Sequence, residues 1–152
     1  MAWSGSGLFV ATLVDVLDAT QLAIDLSSTS NKWALFDNTI TPDFDASAAN
    51  AAYGAGAWAS GEASGTGYTA GGAAVASPTL TGSGGVMTYD QADTSWSNTT
   101  VTGVRGALLY ADGLTGNNAI CAIDFGQTYS TSAGQFLIQW NASGVWSIDL
   151  VP

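Results

Sequence analysis

The chain has no histidine, and only two basic residues, Lys32 and Arg105, stand against twelve acids. Without an imidazole to act as base, nucleophilic catalysis by a Ser–His or Cys–His arrangement is excluded. One cysteine and no histidine nearly exclude a zinc site as well. Two cations cannot neutralise a run of phosphates, so the reading has no nucleic-acid partner. Adhesion to an anionic membrane surface fails for the same reason. Cys121 has no second cysteine to pair with. It lies in the apolar run Ala119-Ile120-Cys121-Ala122-Ile123, which predicts a buried, inert thiol compatible with synthesis in a reducing compartment. Runs of about 18 apolar residues are missing, so no membrane-spanning helix is expected. Residues 8–17 are apolar, but no positive segment precedes them, and a signal peptide is not expected.

Charge as a whole is scarce: 9% of residues are charged, against about 25% in ordinary globular proteins. Solubility then rests on Ser, Thr, Asn and Gly, helped by a net charge of −10. Interface centres are depleted of charge, so a surface of this kind favours contact with neighbouring subunits over a hydroxyl-coated monomer. No cofactor is implied by any residue pattern.

What is present is apolar alternation. A hydrophobic content of 47% supports a real core, and 152 residues make one domain that buries about 70% of its unfolded surface. The C-terminal stretch is the clearest. Phe136, Ile138 and Trp140 alternate with Leu137 and Gln139, and after Asn141-Ala142-Ser143-Gly144, Trp146, Ile148 and Leu150 alternate with Ser147 and Asp149. Period-two alternation around turn chemistry predicts a β-hairpin with a four-residue loop. Its apolar face predicts core positions at Phe136, Ile138, Trp140, Trp146 and Ile148, joined by Trp33 and Trp96 from other strands.

Earlier in the chain, residues 1–20 read as an N-terminal arm and helix. The helix covers residues 8–19, with Phe9, Leu13, Val16 and Leu17 on one face and Ser6 as N-cap. Residues 22–26 read as a short strand and 32–36 as another, with Trp33 and Leu35 facing opposite to Ala34 and Phe36. Residues 39–72 form a long irregular loop region, with one or two helical turns at 46–52; such a connection is usually functional or part of an interface. Strands are predicted over 73–81, 86–89, 95–97, 101–110 and 119–125. Short strands with frequent punctuation predict a mainly β fold: an antiparallel β-sandwich or barrel-like domain with one N-terminal helix. No repeat of solenoid or propeller period is present.

Other patterns carry little chemistry. Gly65-Thr66-Gly67-Tyr68-Thr69-Ala70 matches a loose dinucleotide fingerprint, but no buried strand precedes it and Gly71-Gly72 would break a following helix. A close-packed glycine turn is the better reading. Asp43 and Asp45, and Asp90 and Asp93, sit at spacings that could present oxygens to Ca²⁺; Asx-turns are favoured at both. A glycosidase needs two positioned carboxylates, and nothing singles out a pair among twelve acids. Trp3 and Trp58 lie among glycines and are candidate exposed anchors, and Trp3 and the loop at 53–72, which carries Tyr53, Trp58 and Tyr68, are the candidate contacts with neighbouring chains.

Five stretches, in this order, carry a resemblance. They are Lys32-Trp33-Ala34-Leu35-Phe36 followed by Asn38-Thr39-Ile40-Thr41-Pro42; Ser64-Gly65-Thr66-Gly67-Tyr68-Thr69-Ala70-Gly71-Gly72; Asp93-Thr94-Ser95-Trp96-Ser97-Asn98-Thr99-Thr100-Val101; Ile123-Asp124-Phe125-Gly126; and residues 134–146, ending Asn141-Ala142-Ser143-Gly144-Val145-Trp146. Together they resemble a family of small structural proteins of tailed bacteriophages and prophages, over most of the chain from about residue 22. The chain departs from it between Asp45 and Glu62, where alanine and glycine dominate. The resemblance implies no catalytic residues. It implies an accessory virion protein, a minor tail protein or a capsid decoration protein, made in the bacterial cytoplasm and partnered by other capsid or tail subunits, with homo-oligomers as the default arrangement. The alternative class is a host-surface carbohydrate-binding module, which calls for exposed coplanar aromatic rings.

Overall fold

The computed structural model describes residues 3–18 and 22–151. In chain order, β1 (Gly7–Leu8) leads into helix α1 (Val10–Leu17) and then β2 (Lys32–Asp37). After a single 3₁₀ turn at Gly56–Ala59 come the short β3 (Gly65–Thr66) and β4 (Ala73–Ala74), then β5 (Thr79–Ser83) and β6 (Val86–Asp90). The second half is β7 (Thr94–Val101), β8 (Val104–Tyr110), β9 (Ala119–Tyr129), β10 (Gly134–Ile138) and β11 (Trp146–Asp149). The protein is mainly β, with antiparallel pairing throughout the described strands and one α-helix near the N-terminus.

Three sheets form: a five-stranded one in the order β1-β9-β8-β2-β4, and two three-stranded ones, β10-β7-β3 and β11-β6-β5. The large sheet is the middle layer, because its central strands are apolar on both faces. In β2, Trp33 and Leu35 point to one side and Ala34 and Phe36 to the other, and all four are fully buried. A strand without a polar alternate needs cover on both sides. Trp96, Phe136, Ile138 and Tyr89 from the small sheets cover the first face. Trp3, Phe9, Ile40, Ala51 and Trp58 cover the second.

The helix is shorter than the sequence predicts. Its N-cap is Phe9, without a side-chain cap, and Ser6 instead accepts the Asp124 N–H at 2.8 Å. Its expected end at Ala19 lies outside the described residues. Thr12 is its one buried residue, anchored by a hydroxyl donated to the Ala119 carbonyl. Residues 22–26 keep the alternating half-buried pattern of a strand, but no strand lies alongside to pair with them, and they run as irregular chain into an Asx-turn at Asp25. Residues 46–52 make turns, not helix.

The predicted C-terminal hairpin is corrected. The turn is present, with Gly144 N–H donating to Asn141 O at 2.9 Å. The strands on either side do not pair with each other: β10 pairs with β7, and β11 with β6. Alternation fixes which side chains share a face but says nothing of the partner strand. Here Trp140 N–H bonds Asp93 and Val145 N–H bonds the Tyr89 carbonyl, which hands the chain from one sheet to the next. Phe136 and Ile138 are buried, whereas Trp140, Trp146 and Ile148 are half-buried because they lie beyond the centre of the interface. Trp140 still packs on Trp33, ring centroids 4.8 Å apart, and Trp146 on Tyr89 at 5.6 Å. The indole N–H groups of Trp96, Trp140 and Trp146 have no hydrogen-bond partner. Each costs about 1–3 kcal/mol, which burial of a large ring, worth about 25 cal/mol per Å² over some 150–250 Å², outweighs.

Candidate functional site

Of the four candidate interface aromatics, Trp3, Trp58 and Tyr68 are buried and Tyr53 is half-buried, which corrects the reading of Trp3 and Trp58 as exposed anchors. Trp58 is 2% exposed and sits edge-on to Trp3, Phe9 and Phe36 at 5.0–6.0 Å. Trp3 is also buried, and its indole N–H donates to the Asp37 carbonyl at 2.9 Å. The neighbouring glycines answer to close packing: a Cβ at Gly7 would stand 3.1 Å from the Phe44 ring and one at Gly56 2.5 Å from the Asn50 carbonyl, while Gly106 on β8 leaves room for the Trp3 ring.

Tyr53 and Tyr68 converge on the chain's one glutamate. Glu62 Oε2 accepts from Tyr53 at 2.7 Å, and Oε1 accepts from Tyr68 at 2.8 Å and from the Gly71 N–H at 2.6 Å. The Tyr68 hydroxyl also accepts the Leu35 N–H at 2.9 Å. Tyr110, stacked on Tyr53 at 4.4 Å, donates to the Gly71 carbonyl. This cluster pins residues 53–71 to the large sheet. Burial first, and Glu62 second, push the Tyr53 phenol up to about 12. Burial pushes Tyr68, Tyr89 and Tyr110 further up, and the Cys121 thiol likewise. None of these groups is poised to exchange protons near neutrality.

Other polar groups are also committed, some inside and some at the surface. Gln91 accepts from the Trp33 indole at 3.0 Å and from Tyr89 at 2.9 Å, and donates to Thr94 at 3.0 Å. Asp43 makes an Asx-turn with the Asp45 N–H at 3.0 Å, and Asp90 and Asp93 accept backbone N–H groups of Gln91 and Trp140. Among the described residues no group of three or more metal-ligating side chains forms. The glycine motif is a close-packed crossing: Gly65 has φ +142° and pairs with Val101, where a Cβ would meet the Thr100 carbonyl at 1.9 Å.

Among the described residues a cleft of about 500 Å³ opens between the end of β9 and β10. Opposite the two-residue step from Gly106 to Val104 on β8, β9 advances from Asp124 to Tyr129. The surplus residues bulge outward through Gly126, at φ +78°. Arg105 braces the base of the bulge, with Nε 2.8 Å and Nη2 3.1 Å from the Asp124 carboxylate oxygens. Phe125 and Tyr129 form one wall, edge to face at 76°. Every residue from Gln135 to Gln139 lines the other. Alternate residues of a strand point to opposite faces, so a wall using all five presents the edge of β10. That edge is open, since β10 is terminal in its sheet. β9 runs to Tyr129, four residues beyond the predicted end at Phe125, and the cleft lies along this extension; its sequence signal is the absence of any Asp, Glu, Lys or Arg between Asp124 and Asp149.

No helix among the described residues is long and apolar enough to cross a membrane. No protein-family model matches the chain, and neither a curated protein nor a solved structure matches it.

Proposed function

We propose that this chain is a non-catalytic structural subunit of a tailed-phage particle, an accessory surface protein that works through contacts with other subunits. One observation carries this reading. Apart from the indole N–H groups of Trp96, Trp140 and Trp146, the interior polar groups described above are tied into the fold, while the surface leaves two five-residue strand edges, β5 and β10, uncharged and unpaired. Proteins that must stay single usually blunt such edges with lysine, proline or a covering element. The phage assignment within this class rests on the resemblance of residues 22–146. Contact surfaces, on this reading, are strand edges and not Trp3, Tyr53, Trp58 and Tyr68.

The test is co-sedimentation. Antibody against the protein is used to probe gradient-purified tailed particles from a producing strain. The reading requires the protein in the particle band, at a copy number that is a multiple of the particle's rotational symmetry. Recovery in the soluble fraction alone would overturn it.

A further inference from the structure

We propose that the free edge of β10 receives the free edge of β5 from a second copy of this chain, joining the small sheets of successive copies head to tail. The inference rests on the reading that the protein works through subunit contacts, and names the contact.

Among the described strands, most sheet edges are too short to template anything. β1, β3 and β4 are two residues each, and β11 is four residues ending at Asp149. β5 and β10 are the long free edges, each of five residues, and neither contains a charge or a proline. All five residues of β5 are exposed. Each edge carries one large outward apolar side chain, Leu80 at 44% exposure and Leu137 at 47%.

Charge selects the pairing. Two copies at −10 repel unless they meet where the acids are missing. The two longest stretches without Asp, Glu, Lys or Arg run from Ala63 to Tyr89 and from Phe125 to Ile148. The first contains β5 and the second contains β10 with its cleft. Each acid at their borders has a bond within its own chain: Glu62 accepts from Tyr53 and Tyr68, Asp90 from the Gln91 N–H and Asp149 from the Val151 N–H, and Asp124 pairs with Arg105. A strand entering the cleft meets main-chain groups along β10 and apolar rings on the far wall, the recognition mode of strand addition. Because donor and acceptor edges differ, the contact is heterologous. It closes into a ring or continues as a filament according to the rotation per step. A glycan is the lesser candidate for the cleft, since Phe125 and Tyr129 stand at 76° and offer no coplanar platform.

The test uses two variants, Thr81→Cys on β5 and Leu137→Cys on β10, both at exposed positions. Cys121 is 1% exposed and stays silent. The proteins are treated with a short bis-maleimide, alone and mixed, beside an exposed control, Ser47→Cys. The proposal requires a cross-linked dimer in the Thr81→Cys and Leu137→Cys mixture that neither variant gives alone or with the control. Adding Leu80→Lys to the Thr81→Cys variant, which keeps both engineered thiols, must abolish it, with far-UV circular dichroism unchanged. Self-linking of either variant in place of mixed linking would overturn the head-to-tail pairing. Oligomers without the mixed link would overturn this contact while leaving the subunit-contact reading intact. A strictly monomeric protein would likewise overturn this contact, and the subunit-contact reading would then rest on recovery in the particle band. Saturable binding of a neutral oligosaccharide, lost on Tyr129→Ala, with no mixed link would reassign the cleft.

Discussion

Replacing Glu62 with leucine removes the one acceptor shared by Tyr53, Tyr68 and Gly71, and fills its place with a side chain that keeps water out. The Gly71 N–H and the Tyr68 hydroxyl are buried and lose a partner held at 2.6 and 2.8 Å. Tyr53 is half-buried and recovers a partner from solvent. An unmet buried donor costs about 1–3 kcal/mol, so two place the loss at about 4 kcal/mol. For a domain of this size, about 2–4 °C accompanies each kcal/mol, so the melting temperature should fall by about 8–16 °C. Urea denaturation followed by tryptophan fluorescence gives the free energy directly. A double-mutant cycle isolates the bond: with Tyr68→Phe already present, Glu62→Leu should cost about 1–3 kcal/mol less, because one donor has already gone. A Glu62→Leu variant within about 0.5 kcal/mol of wild type, the level of an ordinary surface change, would refute the assignment of this carboxylate as the pin of residues 53–71.

Trp58→Ala should cost about 3–5 kcal/mol by chemical denaturation, as a buried aromatic does; a surface anchor would lose almost nothing. The Tyr53 phenol has its folded pKa raised from the usual 10 to about 12. It therefore adds stability that is complete below pH 10 and is lost as pH rises towards about 12. Thermal melts across that window should show falling stability, with a smaller fall in Tyr53→Phe. Cys121 should ignore a thiol reagent in the native protein and react in urea; fast native labelling would show that β9 opens readily.

The legible part of the fold was the part written as alternation or as apolar runs. β2 needed no partner information to be recognised, because Trp33-Ala34-Leu35-Phe36 is apolar on both faces and must lie between two layers. The C-terminal stretch shows the limit. The faces of Phe136 and Ile138 follow from period two, but their pairing with β7 depends on residues 40 positions away, such as Trp96 opposite Phe136. The same long-range bonds misled the reading of the aromatics. Trp58 and Tyr68 look exposed among glycines, yet the loop folds back over the large sheet because Glu62 gathers it there. Gly126 resembles a strand end in the sequence but marks a bulge within β9. That bulge opens the cleft, so the candidate site was hidden by the same residue that builds it.

Sedimentation equilibrium over a wide concentration range, on the wild-type chain and on Leu137→Lys, puts the claim that this protein works by contact between copies to its most direct test. The wild type should show a mass rising with concentration to a multiple of one chain, and Leu137→Lys should stay at the mass of one. A wild-type protein that holds the mass of a single chain at every concentration would contradict it.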